Sequence, residues 1–234
     1  MLPVRRSRPR TALRALFAAT ALLAAIAVHA QTTASEITTL ETRVVAASDL
    51  PWNDAAPATH GLRLTLIILR ETAWDFDTVL AATKRMAPLF APCGVRITAA
   101  ELRVLDAPPR FRNYETRVSR ELARRVPVPR PAIYFVADTL NRPAFDAEAI
   151  GRANSGNRPE LADTIWVAAG TLDLHVVLAH ELTHVLMDSG AHSGEPGNLM
   201  RGETTPENTR LTETQCARMR VTAERNGLLT LLRN

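Results

Sequence analysis

His180-Glu181-Leu182-Thr183-His184 sets two imidazoles four residues apart with a carboxylate beside the first. On a helix, positions i and i+4 stand one above the other on one face, so both rings can reach a single ion. Two neutral nitrogen ligands, an open coordination position and an adjacent general base are what a zinc hydrolase needs to activate water. The pattern is short enough to arise by chance, so its surroundings decide its weight.

From Thr171 to Ser189 the chain reads as one amphipathic helix, with Leu174, Val177, Leu178, Leu182, Val185 and Leu186 at helical spacing. Thr171 fits an N-cap and Gly190 a C-terminal stop. Four of the six histidines fall between His175 and His192. His175 lies five residues before His180 and off its face, the position of a packed or surface side chain.

Other elements must position this helix. Leu62 to Leu69 is nearly continuously apolar, as in a buried strand. Asp75 to Phe90 fits a helix ending at Pro92, and Val95 to Leu105 alternates as a strand does. Glu115 to Val126 is a short charged helix or ordered loop. Ala132 to Ala137 and Thr164 to Ala168 are further strands, and the stretch between them is mostly irregular, with a short edge strand expected at Ile150 to Asn154. Thr212 to Asn226 is a closing helix, capped by Thr212 and stopped by Gly227. Residues 31–60 are polar and lack strong periodicity, so they read as an extension ahead of a domain covering 61–234.

The first 30 residues read as a signal peptide. Arg5, Arg6, Arg8, Arg10 and Arg14 precede an apolar run from Ala15 to Val28, and Val28-His29-Ala30 offers small residues for cleavage. Export without a stable membrane anchor is therefore expected, to the periplasm or the medium. Removing those five arginines from 28 basic side chains leaves 23 against 24 acidic ones, a formal charge of −1. No basic stripe with interleaved aromatics remains, which excludes an evident nucleic-acid surface. In an oxidising compartment a disulfide between Cys93 and Cys216 is the default.

From about Gly61 onward the chain resembles the metzincin superfamily of zinc-dependent metalloproteases. The resemblance rests on His180, Glu181 and His184, on His192-Ser193, and on Gly197-Asn198-Leu199-Met200. It implies an α/β fold: a twisted, mostly parallel sheet of about five strands, with an active-site helix and a C-terminal helix. It further implies zinc held by His180, His184 and His192, Glu181 as general base, and Met200 in a Met-turn beneath the metal. Ile150-Gly151-Arg152-Ala153-Asn154 resembles the edge strand that binds substrate, with Gly151 and Ala153 in it. The implied activity is endopeptidase cleavage of a peptide or protein. Pro92-Cys93-Gly94-Val95 resembles the cysteine switch of matrix metalloproteases, an alternative to the disulfide.

One spacing departs from that family. Its pattern puts glycine three residues, and the third histidine six residues, after the second histidine; here Met187 takes the glycine place and His192 comes eight later. A helix running on to Ser189 would add roughly 4.5 Å of rise, whereas a helix broken near Asp188 would solve the geometry differently. Asp188 and Glu213 are the other candidate third ligands. Asp188 lies about 6 Å beyond His184 along a straight helix, and Glu213 would make a site of two histidines and a carboxylate, as in another zinc peptidase class. A zinc-binding envelope protein without peptidase activity, or a coincidental motif, completes the set of readings.

Overall fold

The apolar runs at residues 62–69, 132–136 and 164–168 become strands buried on both faces, as parallel strands under helices must be. The computed structural model describes residues 36–52, 57–140 and 147–233, so the expected signal peptide lies outside the described residues. In chain order the strands are β1 (Thr38–Ala46), β2 (His60–Leu69), β3 (Val95–Asp106), β4 (Asn113–Tyr114), β5 (Ala132–Val136), β6 (Asp138–Thr139), β7 (Ala147–Ile150), β8 (Thr164–Ala168) and β9 (Leu229–Leu231). The helices are α1 (Phe76–Met86), α2 (Thr116–Arg125), α3 (Leu174–Met187) and α4 (Glu213–Arg225).

The main sheet runs β1-β3-β2-β5-β8-β7, with β9 added to the start of β2. Its centre is parallel, from β3 through β2 and β5 to β8. β1, β7 and β9 pair antiparallel. The α/β fold with a twisted, mostly parallel sheet is thus present. One core joins the sheet to α1, α3 and α4 through residues such as Val79, Leu182, Leu186 and Met219. On the other face a smaller core gathers Leu122 of α2 with Tyr134 and Trp166, whose rings stack 4.1 Å apart.

Three expectations need correction. The polar stretch before Gly61 is not merely an extension: β1 pairs with β3 along Thr38–Ala46, so a boundary near Gly61 cuts off an edge strand. Only Val45 of β1 is buried, which leaves no apolar alternation to read. The strand expected at Ile150–Asn154 lies earlier, at Ala147–Ile150, and Gly151 to Asn154 form the turn after it. The active helix is also shorter than Thr171 to Ser189. Thr171 instead closes the turn after β8, its hydroxyl donating to the Ala168 carbonyl at 2.8 Å. At the other end Asp188, with φ 46° and ψ 55°, adopts the left-handed conformation that usually falls to glycine, and its N–H returns to the carbonyls of His184 and Val185.

The closing helix α4 agrees with expectation. The Thr212 side chain accepts from the Gln215 N–H, while the Gln215 side chain accepts from the Thr212 N–H, a reciprocal capping box. Gly227 ends it at φ 73°. Cys93, at the end of the 3-10 turn after α1, is disulfide-bonded to Cys216 of α4, and both are buried. No thiol is left for a cysteine switch.

A bridge closing 123 residues removes much chain entropy from the unfolded state. The double substitution Cys93→Ala/Cys216→Ala should therefore lower the unfolding free energy by about 3–5 kcal/mol. Denaturant titration measures this, and two reactive thiols in denatured, unreduced wild type would refute the bridge.

Candidate metal centre

α3 carries His180 and His184 one turn apart, and its early end at Asp188 decides where the third histidine can stand. Because α3 stops at Met187, the residues added to the family spacing lie in a reversing loop and add no helical rise. The loop returns His192 to the same face. The Nε2 atoms of His180 and His184 are 3.0 Å apart, and those of His184 and His192 are 3.3 Å apart. Among the described residues, these three histidines form the one group of three or more potential ligands within 4.8 Å of one another.

The backbone sets their protonation. His180 Nδ1 lies 2.7 Å from the Leu199 carbonyl and His184 Nδ1 lies 2.6 Å from the Ser189 carbonyl. A carbonyl only accepts, so each Nδ1 carries its proton and each neutral ring has a lone pair on Nε2. Two lone pairs facing across 3.0 Å repel unless a cation lies between them. Tetrahedral zinc with Zn–N near 2.0–2.1 Å would space its nitrogens by about 3.3 Å, so the donor set fits that ion. Burial disfavours the charged form of both rings. It pushes His184 down to about 4, aided by the neighbouring His180, and holds His180 below the usual histidine range against the pull of the Leu199 carbonyl.

The Leu199 carbonyl is itself held firmly. Leu199 N–H donates to the Arg210 carbonyl at 2.7 Å, and Met200 N–H donates to Asn198 Oδ1 at 2.9 Å. The amides of Asn198 and Gln215 form a double hydrogen bond, at 3.0 and 3.1 Å. Met200 is fully buried, and its carbonyl accepts from the N–H of Ser193, next to His192, at 2.7 Å. One short turn thus fixes the ring of His180 and the position of the His192 loop. Asn198 and Gln215 do not stand out from sequence as site residues. The capping-box pattern points to Gln215 only as a helix start, and its second bond is tertiary.

The histidines open onto a cleft of about 840 Å³, lined also by half-buried Glu181, by Ala147, Glu148 and Ala149 of β7, and by Glu203. Gly151 reaches this cleft from the turn after β7. Ala153 instead donates its N–H to Asp188 Oδ1 at 3.0 Å. The other candidate ligands are occupied elsewhere. Asp188 faces that turn, and Glu213, with its side chain 78% exposed, pairs with Arg220. His175 Nε2 lies 3.2 Å from Arg85 and outside the cluster.

His192→Ala should weaken metal binding at least as much as His184→Ala, with His175→Ala nearly neutral, all read by competition with a chelating indicator. Acid should also destabilise the metal-free protein. The folded pKa values of His180 and His184 lie below the unfolded value near 6.5, so the unfolded chain binds more protons and stability rises with pH. Their contribution is complete above about 6.5 and is lost as pH falls towards the folded value of His184 near 4. Unfolding curves of the chelated protein across that window test the sign, and a His180→Ala/His184→Ala variant should flatten the dependence.

No protein-family model and no curated protein matches this sequence. Among solved structures, metalloproteinase-II from Bacteroides fragilis is similar, with a TM-score of 0.51 and 15% identity over 73% of this chain. The match spans 55% of that protein, so the chain covers about half the length of its structural neighbour. At such identity the likeness is one of fold: this chain shares the fold of a metalloproteinase.

Proposed function

We propose that this chain is an exported zinc metallopeptidase of the metzincin kind. The observation that carries this reading is the convergence of three imidazole Nε2 atoms, two of them held by backbone carbonyls to present lone pairs, in a cleft walled by an edge strand. His180, His184 and His192 would hold the zinc. When bound, zinc would acidify a water and polarise the scissile carbonyl.

The remaining work falls to the chain's own side chains. Glu181 lines the cleft beside the three histidines, and as a carboxylate it takes the attacking water's proton and hands it to the departing amine. Among the described residues β7 ends the sheet order and pairs with β8 alone, so its other edge can accept an extended peptide by backbone hydrogen bonds. That assigns substrate pairing to Ala147–Ile150 in place of Gly151 and Ala153. The resemblance that assigns Met200 to a Met-turn is supported by the bonds linking Leu199 to His180 and Met200 to Ser193. The disulfide accords with an oxidising compartment. Among the described residues no helix is long and apolar enough to cross a membrane.

Zinc stoichiometry measured together with cleavage of a mixed peptide library tests this assignment. Glu181→Gln should keep zinc and lose hydrolysis by about 10²–10⁴-fold, because it removes the proton acceptor and leaves every ligand in place. Undiminished cleavage by this variant would sink the mechanism, and loss of its zinc would make Glu181 a structural residue or a ligand.

A further inference from the structure

Asp188 does two separable things at the end of α3. Its backbone sits at φ 46° and stops the helix, which lets the Ser189 carbonyl meet His184 Nδ1 at 2.6 Å. Its side chain points to another element: Oδ1 accepts from the Ala153 N–H at 3.0 Å, just past the end of β7. Gly151, in the same turn, lies so close that an added Cβ would come within 2.6 Å of Asp188 Oδ1. The residue between them is anchored as well, since Arg152 Nε donates to buried Asp163 at 2.8 Å and its guanidinium to the Asn226 carbonyl at 2.6 Å.

A stop signal alone does not require this carboxylate. Glycine adopts the left-handed conformation without strain, and aspartate does so at a modest cost. The backbone duty therefore leaves the aspartate side chain unexplained, and the contact with Ala153 explains it. We infer that Asp188 is a positioning residue whose carboxylate latches the turn at Gly151–Ala153 onto the end of the ligand-bearing helix. The latch sets how far the substrate-pairing strand β7 stands from the histidines. It rests on the peptidase reading for its purpose, though not for its existence. Gly151 is glycine for the same reason: a side chain there would occupy the space of the latch.

Substitutions at Asp188 separate the two duties. Asp188→Gly keeps the helix stop and removes the latch. Zinc affinity and thermal stability should stay near wild type, the Ala153 amide should exchange faster, and KM for a cleaved library peptide should rise about tenfold with kcat within about twofold. Asp188→Asn keeps an oxygen acceptor and tolerates the left-handed region, so it should match wild type in exchange and KM. Gly151→Ala should reproduce the KM increase of Asp188→Gly, and combining the two should add little, because the three heavy atoms nearest the new Cβ outside its own turn all belong to Asp188.

The inference is overturned if Asp188→Gly leaves Ala153 protected, or leaves KM unchanged, or if Asp188→Asn behaves like Asp188→Gly. A purely structural Asp188 would lower stability and zinc affinity without moving KM. If wild type binds zinc and cleaves no library peptide, the peptidase reading fails, and amide exchange at Ala153 still decides whether the latch exists.

Discussion

Two backbone carbonyls set the protonation of the paired histidines on α3. Leu199 and Ser189 each take the Nδ1 proton of a histidine, and only that choice leaves both Nε2 atoms of α3 able to bind a cation. Neither carbonyl belongs to the helix that bears the rings. Ser189 reaches His184 because α3 ends at Asp188, and Leu199 reaches His180 because the loop beyond His192 folds back beneath the helix. The remainder of the architecture holds these two acceptors still.

The support can be traced outward from Leu199. Its neighbour Asn198 is clamped by the Gln215 amide, and Gln215 is simultaneously the third residue of the box that starts α4. The next residue, Cys216, is bonded to Cys93 at the end of the segment after α1. A covalent tie thus sits one residue from the amide that steadies the ligand-orienting turn. These partly buried hydrogen bonds act together, because each one orients and polarises the next. The closing helix thus backs the turn that holds the ring of His180.

What could be read from sequence divides by the range of the interactions concerned. The strand at Leu62–Leu69 is legible as a nearly continuous apolar run, the helix bearing His180 through its periodicity, and the closing helix through its Thr212 cap and Gly227 stop, all of which act over a few residues. β1 gave no signal because an edge strand with one buried residue has no apolar face. The edge strand lies about three residues before the stretch that the sequence suggests, since the Gly151–Asn154 segment is bonded to Asp188 and Asn226, distant in sequence. His192 was legible as a candidate ligand through family resemblance. How its spacing works is legible only as one of two options, a helix running to Ser189 or one broken near Asp188, and the structure takes the second; an aspartate at a left-handed helix stop is far less marked than a glycine.

An aspartate helix stop, one residue past the place where the family pattern puts glycine, separates this chain from that pattern most clearly. A glycine stop terminates a helix and offers no side chain to anything else. An aspartate stop carries some backbone strain and supplies an acceptor that can reach across to a second element. Placing it between His184 and the end of β7 couples the two walls of one cleft through a single residue. The longer loop to His192 is geometrically consistent with the same residue: α3 ends at Met187, the chain reverses from Asp188 so that His192 returns to the cluster, and the Asp188 side chain holds the neighbouring turn.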